Sequence, residues 1–289
     1  MWESRRLEYP NFGVLVSSLC TKGELNMTKL SPFLGAFVLS VIVAAAAQTT
    51  IPMGTIIPVE LNTTIDAKKS KPGKAITATV AQDVPLYNGS TIKAGTKVLG
   101  ELLSVTPAAN SRPAAIALRF NKIVVSGKTA LIATNLRALA SPLQVQSAQS
   151  PTQFDNRWIR PWSQTTILIG GDVPGGGDVA YREAGTVERA GRTVGKSVFA
   201  GRWGVLSQVV RCPGEAALEG NGHPQALWVF SHDACGVFGY DVTLAHADRP
   251  NPEGNIVLAS TKGDIKLRSG SALLLRVIGS IGQPSQKEE

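Results

Sequence analysis

The feature that most constrains the fold is a series of short apolar segments separated by turns that are rich in glycine and proline. Between residues 50 and 140 the apolar residues of each segment tend to alternate with polar ones, and no helical period is present. Val, Ile, Thr and Ala dominate these segments, and aromatic residues make up only 6% of the chain, a composition that favours strands. Six or so strands predict a small barrel or sandwich over residues 48–140.

An internal echo marks two equivalent points in this region. The segment that begins at Ile51 and the segment that begins at Ile92 share Ile, Gly, Thr, Glu and Leu at matching positions. Each copy is typical of a glycine turn followed by an alternating strand. We therefore expect Gly54 and Gly95 to lie in turns, where a side chain or the loss of a positive φ would be costly.

These motifs resemble the periplasmic barrel domain of the TrbI/VirB10 family of type IV secretion and conjugation proteins. The matching residues are Ile51-Pro52-x-Gly54-Thr55-x-Ile57-Pro58-Val59-x-Leu61, Pro72-Gly73 and Ile92-x-Ala94-Gly95-Thr96-x-Val98-x-Gly100-Glu101. The resemblance covers residues 50–140 and implies a periplasmic β-barrel in the setting of a secretion or conjugation assembly. SAF-type barrels of flagellar and pilus assembly chaperones share a similar Ile-Pro-x-Gly-Thr element.

The rest of the chain divides by composition. Residues 141–205 contain a stretch rich in Ser, Gln, Pro and Gly that predicts a linker, and within this range apolar residues at helical spacing predict a short helix over 181–200. Residues 206–280 alternate as an antiparallel β unit, and residues 281–289 are expected to be a disordered tail. The predicted fold class is all-β, with a barrel-like N-terminal domain, a C-terminal antiparallel β unit and one short helix or linker between them.

Residues 27–47 have the order of a secretory signal peptide. Lys29 supplies a positive charge, residues 32–43 are apolar, and Ala45-x-Ala47 is a small-residue cleavage motif, so the mature chain is expected to start at Gln48. Residues 1–26 are interpreted as a non-native upstream extension, with the true start at Met27. The alternative is a cytoplasmic tail followed by an uncleaved anchor. A spanning helix needs about 20 apolar residues, and the apolar run in this segment is shorter.

Two cysteines, Cys212 and Cys235, follow the expected cleavage point. In an oxidising compartment such a pair most simply forms one disulfide. Two alternatives remain open. Together with His223 and His232 the cysteines could form a Cys2His2 zinc site, or His232 could act as the base beside a Cys235 nucleophile. The disulfide is the preferred prediction, and no metal ligand is assigned.

The candidate binding residues form an arginine and tryptophan cluster in the linker: Arg157, Trp158, Arg160 and Trp162. Such side chains stack on sugars, peptides or bases, and they can also attach a linker to a neighbouring domain. A glycosidase would need two facing carboxylates, and no sequence pattern pairs the acids that are available. Those acids are Glu60, Asp83, Glu101 and Asp241.

Positive charge is spread thinly along the chain, whose formal net charge is +8. The one dense run is Lys68-Lys69-Ser70-Lys71. It is interpreted as a solvated turn, with a weak attraction for anionic envelope polymers or lipid head groups as the alternative. A nucleic-acid footprint would need denser clustering of basic residues.

These features predict an exported bacterial cell-envelope protein, periplasmic or extracellular, that is a non-enzymatic structural or binding module. The expected partners are other envelope proteins or a cell-wall polymer, with no nucleic acid, and with membrane contact only through the signal segment. No catalytic residue, metal or cofactor is predicted. The alternative function is an envelope hydrolase that acts on peptidoglycan or polysaccharide.

Overall fold

Strand formation follows the alternation of the sequence. The computed structural model describes residues 50–109, 112–150, 165–171, 177–200, 202–213, 215, 222–245 and 254–279. In the strand Ala75–Val80, for example, Ile76, Ala78 and Val80 are buried, while the side chains between them are partly exposed. This is the pattern that arises when successive side chains point to opposite faces of a sheet.

The described residues form mostly strands, which confirms the all-β fold class. In chain order the strands are β1 (Ile56–Leu61), β2 (Ile65–Asp66), β3 (Ala75–Val80), β4 (Val84–Pro85), β5 (Thr91–Ile92), β6 (Lys97–Thr106), β7 (Ala114–Val125), β8 (Lys128–Leu131), β9 (Ala133–Ala140), β10 (Thr165–Ile167), β11 (Val179–Tyr181), β12 (Thr186–Arg189), β13 (Arg192–Ala200), β14 (Arg202–Ser207), β15 (Gln225–Ala226), β16 (Gly236–Phe238), β17 (Thr243–Ala245), β18 (Ile256–Ser260), β19 (Lys266–Leu267) and β20 (Ala272–Gly279). The short helix α1 spans Pro142–Gln149, and the Ser141 side chain caps it by accepting a hydrogen bond from the Gln144 N–H.

The larger sheet has ten strands and forms a nearly closed barrel. Its order is β16-β9-β20-β1-β3-β6-β7-β18-β17, with β8 attached to β7. The pair β16 and β9 is parallel, and the other pairs are antiparallel. The terminal strands β16 and β17 follow one another in the chain, so the sheet nearly returns to its starting point.

Strands from both ends of the described chain build this barrel. β20 lies between β9 and β1, and β18 pairs with β7. The boundary expected after residue 140 therefore does not separate the two sheets, since residues 206–280 contribute strands to both. Alternation shows which face of a strand is buried, but it carries no information about which distant strand becomes its neighbour.

The second sheet is a six-stranded antiparallel meander, β10-β11-β12-β13-β14-β15. The helix predicted over 181–200 is wrong, because this segment contains β12 and β13. Ala190 and Gly191 have φ values of 48° and 74° and connect the paired residues Arg189 and Arg192. Two successive positive φ values are typical of a tight hairpin turn, and the glycines of this segment also oppose a helix.

The barrel interior is filled by aliphatic side chains. Phe120 of β7 is the one aromatic residue among the buried members of this cluster in the described chain, and it is 1% exposed. The other buried members are Ala, Val, Leu and Ile side chains that reach from Ile51 to Val277. The interior is a packed apolar core.

A second apolar cluster joins the two sheets. Ile56 and Leu274 on the outer face of the barrel belong to it, together with Val205 of β14 and Phe230 in the loop after β15. All described residues lie in one compact unit, Ala47–Glu289.

Two buried glutamines add hydrogen bonds across this junction. Gln82 Nε2 donates to the Val205 carbonyl oxygen over 2.9 Å, and Gln82 Oε1 accepts from the backbone N–H groups of Val205 and Trp228. In the opposite direction, Gln225 Oε1 accepts from the Ile56 N–H of β1 over 3.0 Å. Both side chains therefore satisfy backbone groups of the facing element, as buried backbone N–H and C=O groups require.

The two glycine turns of the internal echo are equivalent, as predicted. In each copy the threonine N–H donates to the carbonyl oxygen three residues earlier, over 3.3 Å in the first and 3.1 Å in the second. Gly54 and Gly95 have φ values of 84° and 89°. A positive φ at the third position of a four-residue turn is the geometry that selects glycine.

The predicted upstream extension, signal peptide and tail (1–26, 27–47 and 281–289) lie outside the described residues. Within the part of the chain that the structure describes, no helix is both long enough and apolar enough to cross a membrane.

Candidate functional site

Cys212 and Cys235 form a disulfide with their Cα atoms 5.8 Å apart, which confirms the predicted pairing. The chain runs beside itself here, since the Val210 N–H donates to the His232 carbonyl oxygen over 3.0 Å. A disulfide contains no thiolate, the form of cysteine that binds metals and attacks substrates. The zinc alternative therefore loses two ligands, and the thiol alternative loses its nucleophile.

Arg137 of β9 attaches the disulfide region to the barrel. Its Nη1 lies 2.7 Å from Glu215, and its Nη2 donates to the Val210 carbonyl oxygen. Glu215 also pairs with Arg276 of β20 over 2.9 Å and accepts from the Cys212 N–H over 2.9 Å. Burial lowers the pKa of Arg137, and the charge of Glu215 opposes that shift. One carboxylate thus holds two neighbouring barrel strands and one end of the disulfide.

The Arg189 cluster is the second polar group at the junction and consists of Asp178, Arg189, Ser231, His232 and Asp233. Asp178 directly precedes β11, and Arg189 is the last residue of β12. The antiparallel register of these two strands sets the two residues beside each other. The other three residues follow the buried apolar stretch 227–230, and the Ser231 N–H donates to the carbonyl oxygen of Ile169, just after β10, over 2.9 Å.

Arg189 pairs with both carboxylates of the cluster. Its Nε lies 2.7 Å from Asp178 Oδ1, where the N–H is not aligned with the oxygen and the contact is an ion pair. Its Nη1 and Nη2 donate to the two oxygens of Asp233 over 2.6 and 2.7 Å, the bidentate arrangement that gives the strongest pairs. The Asp178 side chain is 0% exposed, and that of Arg189 is 18% exposed.

Ser231 and His232 complete the coordination of Asp178. Asp178 Oδ2 accepts from Ser231 Oγ over 2.8 Å and from the His232 backbone N–H over 3.0 Å, and it lies 2.7 Å from His232 Nδ1. Because an ionised carboxylate can only accept, Nδ1 carries the proton in this contact. Ser231 Oγ is also 2.6 Å from Asp233 Oδ1, so the two carboxylates share one hydroxyl as a hydrogen-bond donor.

Both carboxylates of the cluster have lowered pKa values. Burial alone would raise the pKa of Asp178, but the hydrogen bonds from His232 and Ser231 outweigh it and lower that pKa. Burial likewise opposes ionisation of Asp233, yet the hydrogen bonds from Arg189 and Ser231 and the charge of Arg189 bring its pKa to about 2. At neutral pH both groups are ionised, and neither can act as a general acid.

The cluster fits a guanidinium better than a metal ion. Ligand atoms of Asp178, His232 and Asp233 lie within 4.8 Å of one another, a spacing that a metal could bridge. However, Arg189 already occupies the space between the two carboxylates and neutralises them. His232 Nδ1 is likewise engaged with Asp178. The arrangement is that of an internal ion network.

The four carboxylates considered for a hydrolase all lie in ion pairs. Each pairs with a basic side chain: Glu60 with Arg202, Asp83 with Lys93, Glu101 with Arg119 and Asp241 with Lys262. Among the described residues, Asp178 and Asp233 do approach each other, with carboxylate oxygens within 4.8 Å.

The other candidate residues are placed as follows. Arg157, Trp158, Arg160 and Trp162 lie outside the described residues, so their binding role stays a prediction. His223, one of the zinc candidates, stacks on Tyr87 with ring centroids 6.4 Å apart.

Sequence reasoning missed Asp178, Arg189 and Ser231. The visible signal was the run Ser231-His232-Asp233, three polar residues directly after a buried apolar stretch. Asp178 and Arg189 gave no signal, because they lie in segments predicted as linker and helix and only the pairing of β11 with β12 brings them together.

Comparison of the chain with models of protein families and with curated proteins finds no match. The assignment of a function therefore depends on the geometry of the described residues.

Proposed function

We propose that the chain is an exported bacterial cell-envelope protein that acts as a non-enzymatic structural or binding module. The observation that carries this proposal is the Arg189 cluster, whose carboxylates, imidazole and hydroxyl contact one another where the loop 231–233 meets the second sheet. In an enzyme, groups of this chemistry must reach a reacting atom on the substrate. Here they hold a loop to a sheet.

Export is supported by the disulfide, since disulfides persist mainly in oxidising compartments. The order of charge, apolar stretch and Ala-x-Ala motif at residues 27–47 supports the same location. The resemblance of residues 50–140 to the TrbI/VirB10 barrel makes a secretion or conjugation assembly the proposed setting. The proposed partners are other envelope proteins or a cell-wall polymer.

The hydrolase alternative is disfavoured because Asp178 and Asp233, the two carboxylates of the Arg189 cluster, are both ionised at neutral pH. Glycoside hydrolysis requires one carboxyl group that keeps its proton near neutral pH and donates it to the leaving group. The pKa values of Asp178 and Asp233 are both lowered. A pair of this kind stabilises a folded structure and does not deliver a proton.

The test compares the wild-type protein with Asp178→Asn and Asp233→Asn. The module proposal predicts that neither wild type nor variant degrades purified peptidoglycan, and that both variants unfold at lower urea concentration. Release of soluble fragments by the wild type, lost in a variant that keeps its stability, would establish the hydrolase instead. N-terminal sequencing of protein from the envelope fraction checks export, and the expected first residue is Gln48.

A further inference from the structure

Four lysines from two distant parts of the chain line one open groove, which we call the lysine groove. It has a volume of about 520 Å³ and is lined by Lys69, Lys71, Lys74 and Lys266, together with Asp66 and two hydroxyl side chains. Three of the lysines lie in the segment between β2 and β3. The fourth arrives because β19 pairs with β2, in the register that sets Lys266 opposite Asp66.

The lysine groove has more cations than acids. Asp66 lies 4.0 Å from Lys266, and within the described part of the chain neither Lys69 nor Lys71 has an acidic partner. Lys74 Nζ donates to the Thr64 carbonyl oxygen over 2.8 Å, a contact that leaves its charge uncompensated. The ammonium groups of Lys69 and Lys71 can therefore attract an anion, and the uncompensated charge of Lys74 adds to the attraction.

The backbone that carries the lysines is fixed by local hydrogen bonds. Asp66 Oδ1 accepts from the Lys68 N–H over 2.9 Å, and Ser70 Oγ accepts from the Asp66 N–H over 3.1 Å. The Gly73 N–H donates to the Leu102 carbonyl oxygen of β6 over 2.7 Å. Binding would thus order the lysine side chains without the cost of ordering the loop.

We propose that the lysine groove binds phosphate groups along a linear phosphate-bearing polymer of the cell envelope. The proposal rests on the proposed binding function and names its ligand class. Lysine ammonium groups bind phosphate as point charges, and sites for small ligands typically have volumes of about 300–1,000 Å³. The groove thus has both the charge and the size for a short stretch of such a polymer.

The lining of the groove argues against two other anions. It includes no aromatic side chain on which nucleic-acid bases could stack. It also includes no apolar side chain that could enter a bilayer, and a concave surface fits a flat membrane poorly. A flexible polymer chain can follow the groove and place successive phosphates near successive lysines.

The test measures binding of fluorescently labelled inorganic polyphosphate to the purified full chain with its disulfide intact. The variant replaces Lys69, Lys71, Lys74 and Lys266 by glutamine. The control replaces Lys97, Lys122, Lys128 and Lys196, four exposed lysines elsewhere, by glutamine as well. It therefore has the same net charge as the groove variant. We expect the groove variant to bind about 30-fold more weakly, because the binding free energies of four exposed ion pairs are lost together. The control should bind nearly as tightly as the wild type.

Binding to three further anions identifies the source of the phosphate groups. Inorganic phosphate, single-stranded DNA and vesicles that contain phosphatidylglycerol are measured at the same salt concentration. Equal weakening in the control variant would overturn the proposal, as would tighter binding to DNA or vesicles than to polyphosphate. Peptidoglycan degradation, measured separately, reports on the module proposal and not on the groove, so the two failures are distinguishable.

Discussion

The barrel interior and the junction between the two sheets are stabilised by different interactions. The interior contains aliphatic residues and Phe120, whose burial contributes through the hydrophobic effect and dispersion. The junction adds to its apolar cluster two arginine-centred ion networks, two glutamines and a disulfide. Apolar burial depends little on pH, whereas a buried ion network depends on every partner being present and ionised.

The strands of the second sheet explain why polar attachments are needed. β13 has nine residues, and none of them is buried. In β3 of the barrel, by contrast, every second residue is buried. A sheet that buries few apolar side chains gains little from packing alone, and the Arg189 cluster, the glutamines and the disulfide compensate for this deficit.

The largest effect is expected in the barrel interior. Phe120→Ala removes a side chain that is 1% exposed, and the cavity should lower the free energy of unfolding by about 4 kcal/mol. Urea denaturation at pH 7 and pH 4 should give the same loss. The matched control is Phe199→Ala, because Phe199 is 79% exposed. Similar losses in both variants would contradict a core that is stabilised by packing.

Arg189→Met tests the junction directly. It leaves the fully buried Asp178 without its cationic partner, and we expect a loss of about 3 kcal/mol in the free energy of unfolding. The control is Arg119→Met, since the Arg119 and Glu101 side chains are 39% and 37% exposed and such pairs contribute at most about 1 kcal/mol. If the two losses are equal, the Arg189 cluster does not stabilise the junction.

Loss of the disulfide should affect the junction more than the barrel. In the double variant Cys212→Ser and Cys235→Ser we expect a loss of about 2 kcal/mol, the lower end of the usual range, because Arg137 and Glu215 still hold the segment. Hydrogen exchange should quicken near Val210, while β1 and β20 keep their protection. Equal loss of protection in β1 would contradict the separation of the two regions.

Acid should weaken the junction selectively. The pKa of Asp233 is lowered from 3.8 to about 2 in the folded protein, so its contribution is present above pH 3.8 and is lost as the pH falls through about 2. The full linkage over this range is about 2 kcal/mol, which partial exposure reduces to about 1 kcal/mol. Asp233→Asn should flatten this part of the stability curve. An unchanged acid slope in that variant would assign the effect to other groups.

Local features of this fold could be predicted from the sequence, and features that depend on distant pairing could not. The glycine turns at Gly54 and Gly95 follow from residue type, and the disulfide follows from the even pair of cysteines and the predicted export. The insertion of β20 between β9 and β1 does not, because many strands of similar alternation compete for the same neighbour. The Arg189 cluster could not be predicted from the sequence for the same reason, since it forms only when β11 and β12 pair in register.

The smallest effect is expected at the turn that leads into β6, where backbone conformation alone is tested. A Cβ at Gly95 would meet no atom within 4 Å, but φ is +89°, so Gly95→Ala should cost about 1 kcal/mol through backbone strain. Gly95→Asn should cost less, because asparagine tolerates a positive φ. Gly222→Ala is the control, since its Cβ also meets nothing within 4 Å and its φ is not positive. The loss in Gly95→Ala should be independent of pH, as in Phe120→Ala, because no charge is involved. A loss that grows toward pH 2 would mean that the barrel also depends on ionised groups, and the contrast with the junction would fail.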